Sequence, residues 1–94
     1  MDAEFEWDRE KAESNFQKHE VSFEEAATVF FDPLSLTVPD LLHSGEENHF
    51  VTTGLSDKQC QLVVVHTEGD DRIRIITARL ATPSERKNYE SGIE

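Results

Sequence analysis

Leu62-Val63-Val64-Val65-His66-Thr67 and Arg72-Ile73-Arg74-Ile75-Ile76-Thr77-Ala78-Arg79 stand either side of Glu68-Gly69-Asp70-Asp71. Two runs rich in β-branched residues, split by a turn of Gly and Asp, specify a β-hairpin. The first run is apolar through four consecutive residues, as in a strand buried on both faces. The second carries three of the five arginines of a chain whose formal net charge is −11. A central hairpin with one cationic strand, inside an acidic protein, limits both the fold and the chemistry.

The acidity is uneven. Residues 1–50 hold 13 acids and 3 bases, whereas residues 72–89 hold five bases and one acid, Glu85. Net negative charge argues against nonspecific attraction to nucleic acid. A local basic patch survives it, because charges farther apart than roughly 8–10 Å are screened at physiological salt. Ninety-four residues make one domain, 1–94. No apolar run reaches the ~20 residues that span a bilayer, and the acidic N-terminus has no apolar signal core. A cytoplasmic setting is the expectation. The single cysteine, Cys60, has no internal partner.

Along the chain, Glu4 to Trp7 alternates and predicts a short strand with Phe5 and Trp7 inward. Asp8 is a natural N-cap for a helix over about 9–19, with Ala12, Phe16 and His19 as its thin apolar face. Lys11, Asn15 and Lys18 form the adjacent polar stripe. Ser22-Phe23-Glu24-Glu25 is a capping box, and Phe23, Ala26, Ala27 and Phe30 give the second helix its apolar face. Asp32-Pro33 stops it. Leu34 to Val38 alternates as a strand that Pro39 ends or marks as an edge. Asp40 to Asn48 is a loop, and Phe50 to Leu55 is a strand in which Gly54 suggests a bulge. After the hairpin, Thr82, Pro83 and Glu85 form a second capping box for a helix to about Tyr89. The tail from Ser91 to Glu94 is expected to fray. The order β-α-α-β-β-β-β-α implies an antiparallel meander with helices packed on it, an α+β domain.

Several of these segments together resemble the BrnT family of toxins from bacterial type II toxin–antitoxin systems. They are Trp7-Asp8 with Lys11, Asn15 and Lys18-His19; Val21 to Ala26; Leu62 to Glu68; and Arg72 to Arg79 with Ala81-Thr82, Glu85-Arg86 and Tyr89. The resemblance implies a RelE-like fold: an antiparallel sheet, two N-terminal helices and a short C-terminal one. It implies a metal-independent endoribonuclease, with no cofactor, that stops translation. The RNA 2′-OH attacks the adjacent phosphate while basic side chains stabilise the developing charge. It also implies neutralisation by a BrnA-like ribbon-helix-helix antitoxin, through which alone DNA is reached, and a homodimer within the complex. Two positions depart from the family pattern. Glu20 stands where glycine is usual, and would be strained if that position needs positive φ. Leu80 stands where a basic residue is common.

The chemistry-bearing candidates are then Arg79 and Arg86, placed where a strand hands over to a capped helix, with Arg74, His66 and Lys87 beside them. Guanidinium groups aimed at a phosphorane-like state stabilise it electrostatically. Arg72, Tyr89 and Lys18 are candidate RNA contacts. Arg72 and Arg74 share a strand face. A Gly69-Asp70 loop would set Thr67 against Arg72 and put His66 on the other face, while a bulge would reverse the faces. His66 reads either as a general acid or base or as a packed sheet histidine. His19 reads as a capping or core residue, and Lys11 with Lys18 as a solvated stripe or a partner contact. Tyr89 reads as packing α-helix on sheet or as stacking on a base. His43, His49, His66 and Cys60 lack zinc-site spacing. The other reading is a module of the same fold that cleaves weakly or not at all and mainly binds a basic DNA-binding partner through its acidic first half.

Overall fold

The computed structural model describes residues 4–41 and 48–91. The sequence expectations for residues 42–47 of the loop, His43 among them, and for the tail beyond Ser91 fall outside them. In chain order the elements are β1 (Glu4–Glu6), α1 (Arg9–His19), α2 (Phe23–Thr28), a 3₁₀ turn (Val29–Phe31), β2 (Leu36–Pro39), β3 (His49–Leu55), β4 (Gln61–Gly69), β5 (Arg72–Leu80) and α3 (Pro83–Ser91). The fold is α+β. Strands β2 to β5 form the expected antiparallel meander, and β1 adds to its far side, parallel to β5, giving the order β1-β5-β4-β3-β2.

Strand β4 is central because it can be. Leu62, Val63 and Val64 are buried, so both of its faces are covered there. Alternation sends Leu62, Val64 and His66 to the helix-covered face, with Phe5, Ile73, Ile75 and Ala78 from the neighbouring strands. Val21, Phe23, Ala26 and Val29 close the core over them. Fully burying one such side chain contributes about 1.5–3 kcal/mol.

The hairpin turn is Asp70-Asp71, with Gly69 opposite Arg72, Thr67 opposite Arg74 and His66 opposite Ile75. This is two residues from the Gly69-Asp70 register. An even shift preserves the faces, so His66 does lie opposite the arginine pair. Asp70 takes φ 46°, which a two-residue hairpin turn requires and which Asp tolerates. The bulge lies in β5, where Ile76 is the extra residue between the pairs His66–Ile75 and Val65–Thr77. It is not at Gly54, which pairs regularly with Leu62. Gly54 is needed for close approach: a Cβ there would sit 2.9 Å from the Ser35 Cβ and 3.0 Å from Val29 Cγ1.

Both helix faces also differ from the simple periodic reading. In α1, Asn15 is buried while Phe16 is 53% exposed and His19 is exposed. Ala12 and Asn15 are the inward residues, small and polar, which lets the helix approach β5 closely. In the second segment the α-helix tightens into the 3₁₀ turn. Phe23 and Ala26 share a face of the α-helix at i, i+3, and the 3₁₀ turn that begins at Val29 adds that residue to the same buried side. Val29, absent from the periodic reading, is fully buried; Phe30 packs at the side of the core.

Candidate functional site

The cationic strand splits by face. Arg72, Arg74 and Arg79 lie on the side of the sheet away from α1 and α2, by their pairing with Gly69, Thr67 and Val63. Arg72 is exposed and bonds Glu6 Oε1 at 3.0 Å, across the parallel β1–β5 pair. Arg74 is exposed and forms no ion pair among the described residues. It stands beside Arg72 in a polar cleft with Glu6, Thr67, Glu68 and Asp70.

Arg79 is engaged by the residue before Arg86. Its guanidinium forks onto Glu85, with Nη1 donating to Oε1 and Nη2 to Oε2, both at 2.9 Å. Nη1 also donates to the Leu80 carbonyl at 3.2 Å. The same Glu85 completes the capping box of α3: it accepts from the Thr82 amide at 2.8 Å, and its own amide donates to Thr82 Oγ1 at 3.2 Å. The Arg79 fork, assisted by those Thr82 contacts and opposed by burial, holds the Glu85 carboxyl down at about 2. Arg79 is raised above its ordinary value by the same hydrogen bonds. Charge on Arg79 is thus largely spent inside the protein, leaving two of its five N–H donors without a partner among the described residues.

Tyr89 follows Glu85 by four residues, on the same face of α3. Its hydroxyl donates to Asp32 Oδ2 at 2.5 Å. Burial, then Asp32, pushes the phenol up to about 12. Asp32 was legible only as a helix stop before Pro33. Here it also accepts from the amides of Leu55 at 2.8 Å and Leu34 at 3.0 Å. Burial would raise its carboxyl, but those hydrogen bonds and that from Tyr89 outweigh it and hold the group below 3.8. Helix α3 is therefore anchored at two acids. Arg86 and Lys87, 100° and 200° around from Glu85, are exposed and form no ion pair among the described residues.

His66 is sealed in the core at 0% exposure. Its ring stacks near Phe50, 6.0 Å away, and meets Phe30 edge-on at 4.8 Å. Nε2 lies 2.7 Å from Thr52 Oγ1, which lies 2.7 Å from Thr37 Oγ1, so one polar chain crosses three strands. Burial drives the imidazole down to about 4, against a weaker opposing pull from the Thr67 backbone. As a residue that touches substrate, His66 is ruled out by this position. Of the two sequence readings, the packed sheet histidine is the one its surroundings match.

The capping box of α2 is half made. Ser22 Oγ accepts from the Glu25 amide at 3.0 Å, but Glu25 Oε2 accepts from Ser56 Oγ at 2.6 Å instead of reaching back. Lys18 lines a cleft between α1 and the β5 bulge with Lys11, Ser14, Asn15, Ile76 and Thr77.

The arrangement offers exposed cations on one face of a strand and on one helix, beside an arginine locked to a carboxylate. Such a set can hold and stabilise a phosphodiester. No curated protein matches the sequence significantly. Among solved structures, the Brucella abortus ribonuclease toxin BrnT matches with a TM-score of 0.66 at 16% identity, over 85% of this chain and 97% of that one. The sequence family described as the ribonuclease toxin BrnT of type II toxin–antitoxin systems matches residues 7–85, and on that span the chain belongs to the BrnT family.

Proposed function

We propose that this chain is an endoribonuclease toxin that halts translation, without a metal, by cleaving RNA on the β5–α3 side of the sheet. The RNA 2′-oxygen bonds to the adjacent phosphorus, and the P–O5′ bond breaks. The proton lost from the 2′-hydroxyl is balanced by one gained at the 5′-oxygen. Extra negative charge on the phosphorane-like state is met by Arg74, Arg86 and Lys87, with the two free Arg79 donors in support. Arg79 is mainly a positioning residue, since through Glu85 it fixes the start of α3. Arg72, half-committed to Glu6, and Tyr89 flank the path.

The observation that carries this reading is the set of exposed cations that form no ion pair among the described residues, in a chain where acids outnumber bases by 20 to 9. The family context supports an antitoxin partner. A BrnA-like ribbon-helix-helix protein fits the charge, being a basic partner for an acidic toxin, and a toxin homodimer would sit within that complex. No helix among the described residues is long and apolar enough to cross a membrane, and the proposed site of action is the bacterial cytoplasm.

Induced expression arrests bacterial growth and leaves cleaved RNA, and Arg74→Ala with Arg86→Ala restores growth. Normal growth with intact RNA at high expression, together with tight binding to the antitoxin, would instead establish the weakly cleaving interaction module. The Arg79–Glu85 lock favours that second reading.

A further inference from the structure

Helix α1 segregates its charge. Glu13 and Arg9 lie away from the stripe Lys11-Ser14-Asn15-Lys18, whose members are spaced at i, i+3, i+4 and i+7, while Glu10, four residues before Ser14, flanks it. The N-cap Asp8 is the other acid near the stripe, and its carboxylate is committed to the amides of Glu10 and Lys11 at 2.8 and 3.2 Å. Lys11 and Lys18 are exposed, and neither forms an ion pair among the described residues. Lys18 and His19 in the last turn complement the helix dipole. Lys11 sits in the first turn, where the dipole opposes a cation, and among the described residues it forms no ion pair with the nearby acids Asp8 and Glu10.

The stripe also has a wall. Lys11, Ser14, Lys18 and His19 line one cleft whose far side is Ile76 and Thr77. Ile76 is the extra residue of the bulge. Asn15 forms the floor, and its amide is consumed by the backbone of Ala78 and Val21. What remains open to a ligand is two ammonium groups, an imidazole N–H and the hydroxyls of Ser14 and Thr77. Every one can donate to oxygen. Thr77 stands on β5 between Arg74 and Arg79, so the cleft adjoins the cationic strand.

We infer that this cleft between α1 and the β5 bulge binds a phosphodiester of the RNA strand flanking the one being cleaved. The inference rests on the proposed ribonuclease activity and assigns the RNA a path from α1 across the edge of β5. A basic antitoxin segment is repelled by the same cations, which separates this surface from the acidic remainder.

The test uses the full-length protein and a fluorescent, fully 2′-O-methylated RNA oligonucleotide, which cannot be cleaved. Binding is measured by anisotropy across a salt series. Lys11→Gln with Lys18→Gln lowers the slope of log K against log salt by roughly 1.4 and weakens binding by about tenfold. Lys58→Gln, an exposed lysine in the β3–β4 turn, changes binding by less than about twofold; matched thermal melts show that the variants fold. Equal effects of K58Q and the α1 pair, an unchanged slope, or no binding by the wild-type protein would overturn the inference. So would loss of binding to a polyglutamate peptide with RNA binding intact. Cleavage of unmodified RNA is scored separately. Cleavage with unaltered binding by the double variant removes this site and leaves the ribonuclease reading. Binding that follows the expected pattern without cleavage keeps the site and removes that reading.

Discussion

Asn15 holds Ala78 as a neighbouring strand would. Its Nδ2 donates to the Ala78 carbonyl at 2.8 Å, and its Oδ1 accepts from the Ala78 amide at 3.1 Å. A second donation, to Val21 at 3.1 Å, ties the α1–α2 connection to the same point. One amide thus joins helix, linker and sheet. Asn15→Ala leaves a buried carbonyl and amide without partners, at about 1–3 kcal/mol for each group. Urea unfolding should show a loss of about 2–4 kcal/mol; a loss below 1 kcal/mol would mean that solvent replaces the pin.

Glu20 closes α1 at φ 60°, ψ 29°, and its amide donates to Phe16 at 2.8 Å. The position does need the left-handed region, where a side chain costs roughly 1–2 kcal/mol. Glycine there relieves the strain and loses some of that gain to unfolded-chain entropy. Glu20→Gly should raise stability by about 0.5–1 kcal/mol, read as a higher urea midpoint at unchanged slope.

His66 gives the protein an acid sensitivity above the carboxylate range. Its folded value of about 4 lies below the ordinary 6.5. Between those values the unfolded chain binds the proton and the folded one does not, so stability falls as pH drops from 6.5 to 4 and is flat with respect to this group below that. The loss approaches about 3 kcal/mol at pH 4. His66→Gln, which cannot titrate, should flatten the unfolding free energy across this window.

Glu85 acts in a lower window. Its folded carboxyl, near 2, lies below the ordinary 4.5. Its contribution is therefore complete above pH 4.5 and is lost as pH falls toward 2. Amide exchange in α3 should accelerate over that range, and Glu85→Gln should show the accelerated rate already at neutral pH. Partial exposure of both partners keeps the ion pair itself a modest contributor.

The unpaired and paired arginines should fail differently. Arg74→Ala lowers the RNA cleavage rate by about 10² and leaves the melting temperature unchanged. Arg79→Ala lowers cleavage together with α3 helicity. If Arg79→Ala slowed cleavage with α3 intact, its two free donors would be the operative ones.

Local chemistry made much of this legible. Asp8 and Thr82 announce their helices because each cap is a short-range bond, and alternation gives Arg72 and Arg74 one face, though which face His66 takes waited on the turn at Asp70-Asp71. What escaped depends on partners far along the chain. Asn15 reads as surface polar until β5, 63 residues away, is placed against it. Asp32 reads as a helix stop until Tyr89 arrives from 57 residues on. Arg79 and Arg86 look like a pair because both are cationic near one turn; Glu85, already counted as a cap, claims Arg79 first. The position of Ile76 as a bulge has no marker in a run of β-formers.

The Asn15 amide also decides how this sheet can meet others of its kind. Strand β1 covers only Arg72 to Arg74 on the outer side of β5. Beyond it, Asn15 takes the Ala78 groups and Arg79 takes the Leu80 carbonyl. The opposite border, β2, is four residues long and ends at Pro39, while β1 is three residues with two glutamates. Short length, charge, proline and side-chain mimicry are each devices that deny a template to an incoming strand. Within the described residues, a crowded cell finds no long bare hem on which to stitch a second copy. Any association with a second copy or a neutraliser would have to use side-chain surfaces.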